Sequence, residues 1–415
     1  MSAFAYRQNT LYCEEVPLAD IARREGTPCY VYSKSFIRER LLEYDEAFGE
    51  QPHRICYSVK ANSNLAILKL VAACGAGFDI VSGGELFRVI KAGGDPGTVV
   101  FSGVGKTADE INYALASGIH SFNCESETEL ALIDSLASRR ALEARAAIRV
   151  NPDVDASTHP YISTGLSKHK FGINIHEAEQ VYHRAKQLGS VRLEGVSCHI
   201  GSQLLDIVPM MDAFEKVVGL VDRLRASGIP IRSLDLGGGL GVQYKPADKT
   251  PAVSEFVAAL LSKVAARDLE VMIEPGRSIV GEAGVLLTRV LYRKTNGPKE
   301  FVIVDAAMND LLRPALYHSH HEIIPLRCND TGTVIADIVG PVCESGDFLA
   351  HNREVANVMP GDAMAVCTAG AYGFVQSSNY NSRPRPPEVL VDGAAWQVIR
   401  RRESLEDLVR GESAE

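Results

Sequence analysis

Between residues 54 and 276 this 415-residue chain repeats one pattern eight times: a short apolar run, then a stretch with helical spacing. The runs begin with RICYSVK at 54, FDIVSG at 78, VVFSG at 99 and SFNCES at 121, and continue with AAIRVN at 146, VSCHIG at 196, SLDLGGG at 233 and VMIEPG at 271. They lack the strict apolar–polar alternation of strands that face water on one side, so they read as strands covered on both faces. Strands of that kind, separated by helices, build a parallel sheet. Eight such units predict a closed (β/α)₈ barrel, with a doubly wound open sheet as the alternative.

The helical stretches carry their own punctuation. TADEINYALASG and SETELALIDSLASRR each open with the signature of a capping box, Thr107 with Glu110 and Ser126 with Glu129, and Gly118 stops the first. An extra helix, SKSFIRERLLEYDEAF, precedes the first strand. The gap after AAIRVN is much longer than the others and contains VDASTHPYISTGLSKHKFGINI, a loop whose aromatic and aliphatic content predicts function rather than disorder. Past residue 285 the texture changes to strand-like runs broken by Gly, Pro and Asn-Asp: RVLYRK, EFVIVDAA, TVIADIVG, EVANVMPGDAMAVCTAG and PEVLVDGAAWQVIRR. The N-terminal LYCEEV and TPCYVYS are strands with no barrel to join, and they complete this second, mostly β domain. The expected boundaries are 36–280 for the barrel, with 1–35 and 281–415 forming the β domain.

Charge and composition narrow the function classes. A net charge of −9, spread along the chain without a basic block, argues against nucleic acid as a partner. No window approaches the roughly 18 consecutive apolar residues of a membrane span. The start, MSAFAYRQNTLYCEE, lacks a basic segment followed by an apolar run, so it is not read as a signal peptide. The nine cysteines are odd in number and contain no C-x-x-C pair, which argues for a reducing compartment, by default the cytoplasm, and against a zinc ribbon.

Chemistry enters at CYSVKANSN, residues 56–64. Lys60 closes an apolar run, yet lysine is almost never fully buried without a partner. A salt bridge or a snorkelling stem would account for it; so would an amine placed for covalent chemistry. The other strand ends favour the amine. Asp79 lies in the second strand, His199 ends the sixth in CHIGSQ, Gly237, Gly238 and Gly239 end the seventh, and Glu274 with Arg277 ends the eighth in EPGR. In a barrel, those ends carry the active site. GGGLG resembles half a dinucleotide fingerprint, but Val242 stands where its last glycine belongs. After strand seven it matches the barrel phosphate site instead, where bare backbone N–H groups hold an anion. Amine, anion cup, imidazole and carboxylate on one rim fit pyridoxal phosphate: the lysine condenses with its aldehyde, His199 stacks on its ring, and Glu274 keeps the ring nitrogen protonated.

YSVKAN, CHIGSQ, LDLGGGLG, EPGR, CESGD and AGAYG together resemble the alanine-racemase-like (fold type III) pyridoxal-phosphate decarboxylases, over about residues 10–400. Within that group THPYISTGL…KFGI, DAAMNDLLRPALY and CESGDFLA are similar to the diaminopimelate decarboxylases. The resemblance implies that Lys60 carries pyridoxal 5′-phosphate, that His199 stacks on it, and that Asp79, Ser202, Gly238, Gly239, Glu274, Pro275, Gly276, Arg277 and Tyr372 line its site. It also implies substrate contacts from Arg277, Arg313, Tyr317, Glu344 and Tyr372, and a proton donor, Cys343, supplied by the partner in a homodimer with shared active sites. The implied reaction is decarboxylation of meso-2,6-diaminopimelate to L-lysine. An arginine, ornithine or carboxynorspermidine decarboxylase is the alternative within the class, although ornithine has no distal carboxylate for Arg313 to bind. A non-catalytic cofactor carrier is the alternative outside it, but a carrier needs neither Cys343 nor Arg313. Ala307 departs from the family's glycine in DAAMND. His318, His320 and His321 suggest a metal site only on paper, because neighbouring histidines on a strand or turn seldom converge and a second ligand set is missing, so no metal is expected.

Overall fold

The computed structural model describes residues 3–154, 170–265, 267–328 and 332–414. Two compact units divide the chain: residues 1–39, 243–248 and 279–415 form one, and residues 40–242 and 249–278 the other. The hexapeptide 243–248 thus leaves the barrel sequence for the β unit.

The larger unit is the barrel. Its strands are β1 His53–Ser58, β2 Gly77–Ile80, β3 Val99–Phe101, β4 Ser121–Cys124, β5 Ala144–Asn151, β6 Val191–Ser197, β7 Ser233–Asp235 and β8 Glu270–Ile273. Each pairs in parallel with the next, and β8 closes on β1 through Val271 opposite His53. The open-sheet alternative is thereby excluded. Apolar residues such as Cys56, Val100 and Met272 cluster inside. Towards the carboxyl ends the buried positions turn polar: Ser58, Asp79, Asn123, Arg149, Ser197 and Asp235. Of the long segment after β5, residues 155–169 lie outside the described residues, and the THPYISTGL stretch lies among them.

Local signals decide the helix ends. Thr107 and Glu110 form a complete capping box, and Gly118 caps the other end at φ +68°. The second box expected from sequence is only half formed. Ser126 accepts from the Glu129 N–H, but the Glu129 carboxylate takes the Glu125 N–H at 2.8 Å and pairs with Lys106 at 2.6 Å. The Lys106 side chain is fully buried, and an ammonium there needs a counter-charge more than a helix needs its second cap.

In the β unit the sheet runs Phe348–Ala356, Thr333–Val339, Lys299–Val304, Gly284–Asn296, Cys29–Ser33, Glu388–Asp392, Ala395–Arg400. Cys29–Ser33, from TPCYVYS, sits mid-sheet, antiparallel to Gly284–Asn296 and parallel to Glu388–Asp392. LYCEEV instead joins a separate three-stranded sheet, Phe4–Arg7, Thr10–Cys13 and Val16–Pro17. Leu11, Cys13 and Val16 of that small sheet share one core with Val31, Leu287 and Val389. Among the described residues, no helix is long and apolar enough to cross a membrane.

Candidate active site

β1 runs into a 3₁₀ turn, Val59–Ala61, which lifts Lys60 to the rim of the barrel. Its Nζ donates to Asp79 Oδ2 at 2.7 Å, and the Asp79 side chain is fully buried on the neighbouring strand. Asp79 explains how an apolar strand can end on an amine. Ser58 Oγ lies 2.9 Å from the same carboxylate oxygen and 2.9 Å from the Glu274 carbonyl, tying β1, β2 and β8 together. Asp79 Oδ1, also buried, has no hydrogen-bond partner among the described residues and remains open as an acceptor.

At the end of β8, the strand next to β1, Glu274 joins a second acid. The Asn123 amide donates to Asp235 Oδ2 at 2.8 Å and lies 3.2 Å from Glu274 Oε1, which Ser102 Oγ also reaches at 3.1 Å. Asp235 Oδ1 accepts the Gly237 N–H at 3.0 Å. Three buried carboxyls, Asp79, Asp235 and Glu274, thus lie close enough to act on one another. Burial, then Asp235 and Asp79, raises the Glu274 pKa well above the usual carboxylate range. Burial raises Asp235 as well. The hydrogen bond between the two side chains works against this rise at Asp235 and adds to it at Glu274, so the proton between them belongs to Glu274.

His199 follows β6, and its Nδ1 accepts the Gly238 N–H at 3.2 Å. Burial, then the charges of Arg149 and Lys60, pushes its pKa well below the usual imidazole value, so the ring is neutral. Arg149 is held by Glu125 at 2.9 Å, and Glu125 in turn receives the Gly172 N–H at 2.6 Å. The glycine turn is shaped by close approach. A Cβ on Gly238 would lie 2.2 Å from the Glu274 carbonyl oxygen, and Gly239 has φ +120°, which side chains rarely adopt. Arg277 Nη2 donates to Ser202 Oγ at 2.9 Å. A rim amine, an open carboxylate acceptor, a buried acid with a raised pKa, a neutral flat ring and a cup of bare backbone fit a phosphorylated pyridine aldehyde.

The β unit carries the remaining predicted residues. Buried Arg313 opens a short helix, Arg313–Tyr317, with its guanidinium 4.9 Å from the Tyr244 ring centre and 5.9 Å from that of Tyr317. Tyr380 OH donates to Glu344 Oε2 at 2.7 Å, and Asn381 Oδ1 accepts the Cys343 N–H at 2.9 Å. Neighbouring residues of one turn therefore hold both Cys343, which is exposed, and Glu344. Tyr372 has a left-handed backbone, φ +55°. Ala307 does not, so alanine in place of glycine adds no backbone strain there. The histidines diverge: His320 pairs with Glu322 at 2.5 Å, while His321 turns inward to the Cys367 carbonyl.

Sequence reasoning missed Asp235, Asn123, Ser102, Tyr380 and Asn381. The first two carried a readable signal, a polar residue inside an otherwise apolar run of a buried parallel strand, the same signal that marked Lys60.

Residues 34–281 match the family described as pyridoxal-dependent decarboxylase, pyridoxal binding domain. Over 413 residues the chain is 54% identical to a diaminopimelate decarboxylase of Pseudomonas aeruginosa, with 100% of this chain and 99% of that one covered. A solved diaminopimelate decarboxylase from Helicobacter pylori, complexed with L-lysine, is 44% identical with a TM-score of 0.91 over 95% of this chain and 98% of that one. The diaminopimelate decarboxylase structure from M. jannaschi is 36% identical with a TM-score of 0.95 over 100% and 98% of the two chains.

Proposed function

The chain belongs to the pyridoxal-dependent decarboxylases, and within them to the diaminopimelate decarboxylase family, and from this we propose that it converts meso-2,6-diaminopimelate to L-lysine and carbon dioxide. The carrying observation is Lys60, an amine held by buried Asp79 at the rim of a barrel whose neighbouring strand end carries Glu274, in contact with Asp235. Pyridoxal 5′-phosphate supplies the electron sink for the pair of electrons left when the carboxylate departs. Lys60 would attach it and Asp79 would orient that amine. Glu274 would hold a proton against the ring nitrogen, and the neutral His199 would stack without adding charge. Ser202, Gly238, Gly239, Pro275, Gly276 and Arg277 would close around the phosphate, with Tyr372 beside it.

Substrate recognition falls to Arg277, Arg313, Tyr317, Glu344 and Tyr372. The distal head of diaminopimelate carries one carboxylate and one ammonium. Arg313 suits the first by bidentate pairing, and Glu344 suits the second. Cys343 would deliver the proton that replaces the lost carboxylate, reaching Lys60 across the interface of a homodimer with shared sites. Its free thiol, like those of the other eight cysteines, suits a reducing compartment such as the cytoplasm.

The test is carbon dioxide release from diaminopimelate, ornithine, arginine and carboxynorspermidine, with Arg313→Ala alongside. Diaminopimelate should be strongly preferred. Arg313→Ala should lower its kcat/KM on the order of a hundredfold or more, because a buried carboxylate loses its partner. Borohydride should fix the cofactor on the peptide bearing Lys60. A preference for ornithine would rule out this assignment, and equal losses on diaminopimelate and ornithine in Arg313→Ala would demote Arg313 to a structural role.

A further inference from the structure

The one buried histidine of the HSHHE stretch forms a relay to the proposed recognition arginine. His321 is fully buried, and its Nδ1 lies 2.8 Å from the Cys367 carbonyl oxygen while its Nε2 lies 3.4 Å from Arg313 Nε. A carbonyl can only accept and a guanidinium can only donate. Both contacts therefore fix one state of the ring: Nδ1 carries the proton and Nε2 offers its lone pair to Arg313.

The surroundings keep the ring from turning. Tyr244 packs edge-on against it with ring centres 5.2 Å apart at 82°, and the same tyrosine lies under the Arg313 guanidinium at 4.9 Å. Arg353 donates to the His321 backbone carbonyl at 2.8 Å and to His320 Nδ1 at 2.9 Å, pinning the main chain at His321 and the side chain of its neighbour. Arg313 Nη2 reaches Ser319 Oγ at 3.1 Å. With Nε engaged by His321 and Nη2 by Ser319, the guanidinium has a set plane and roll.

We propose that His321 is a positioning residue: as a neutral Nδ1–H ring bridging the Cys367 carbonyl and Arg313 Nε, it sets the orientation in which Arg313 takes the distal carboxylate of the substrate. This rests on the proposed reading of Arg313 and of diaminopimelate as substrate. Its consequence is one of binding and not of chemistry, since the distal head is held alike before and during the reaction. Loss of such a contact raises KM and leaves kcat in place.

Two substitutions separate positioning from simple support. The Asn amide of His321→Asn occupies the place of Nδ1 and can keep the Cys367 contact, but it cannot reach Arg313. The longer Gln of His321→Gln puts an acceptor near the place of Nε2. With the cofactor-loaded enzyme, His321→Asn should raise KM for diaminopimelate about tenfold with kcat within about twofold. His321→Gln should recover much of that loss. Calorimetry with L-lysine, which keeps the same amino-acid head, should show the same order of affinities without turnover. Nitrogen NMR of histidine-labelled parent protein gives a readout that does not depend on any His321 variant folding: His321 should show the Nδ1–H tautomer, with an Nε2 signal that moves in Arg313→Lys. A parent enzyme inactive on diaminopimelate overturns the substrate reading and this proposal with it. An active parent whose His321→Asn form keeps its KM and lysine affinity, or whose His321 ring carries its proton on Nε2, overturns the positioning role alone.

Discussion

Glu274 shows how a single residue at this site couples chemistry to stability. Burial beside Asp235 and Asp79 raises its pKa well above the ordinary value of 4.5. Between that value and the raised one, the folded protein keeps a proton that the unfolded chain has released. Unfolding stability therefore falls as pH rises through the window. In the cofactor-free protein, Glu274→Gln, which has no such proton to lose, should flatten that slope. Urea melts from about pH 5.5 to about pH 8.5 give the comparison. Parallel slopes for the two proteins would mean that Glu274 is ionised in the folded apoprotein. Much of this residue scale was legible beforehand. Lys60, Asp79, His199 and Glu274 stood out as polar residues at the ends of apolar runs, whereas the Asp235 partnership did not, because the two acids meet through an amide 112 residues from one and 151 from the other.

At the scale of elements, the strand ends are built by close backbone approach as much as by side chains. β7 and β8 deliver the glycine turn and the EPGR segment so tightly that Gly238 tolerates no Cβ: the Glu274 carbonyl oxygen would stand 2.2 Å away. Gly238→Ala should therefore destabilise the barrel by about 1–3 kcal/mol through forced backbone shift, and weaken cofactor retention in parallel. Thr107→Ala is the control. It removes an exposed cap at the cost of about 1 kcal/mol and should leave cofactor content unchanged. Thermal melts and the cofactor-to-protein ratio after dialysis read both effects. Equal cofactor retention in the two variants would show that the close approach at Gly238 matters only for folding. The half-formed cap at Ser126 makes the same point from the other side: a sequence signature survives only where tertiary demand, here the buried ammonium of Lys106, does not recruit its carboxylate.

At the scale of the whole molecule, the proposed homodimer with shared sites makes a quantitative prediction. Lys60→Ala and Cys343→Ala should each be inactive. After subunit exchange about half the dimers are mixed, each with one intact site of two, so roughly a quarter of parental activity should return. Exchange without recovery would place both residues of a site on one chain. The sequence by itself determined the barrel, the β character of the flanking segments, and which residue types stand at the strand ends. Those properties are set by periodicity and by neighbours a few positions apart. Tertiary structure alone decided that Cys29–Ser33 would lie mid-sheet, that LYCEEV would form a sheet of its own, and that Asn123 would bridge Asp235 and Glu274. It alone turned His321 inward to Arg313 while His320 took Glu322. The physical reason is one of range: burial patterns repeat along the chain and can be read from it, but a buried polar group takes whichever partner the closed fold brings within about 3 Å, and that choice exists only once distant strands have met.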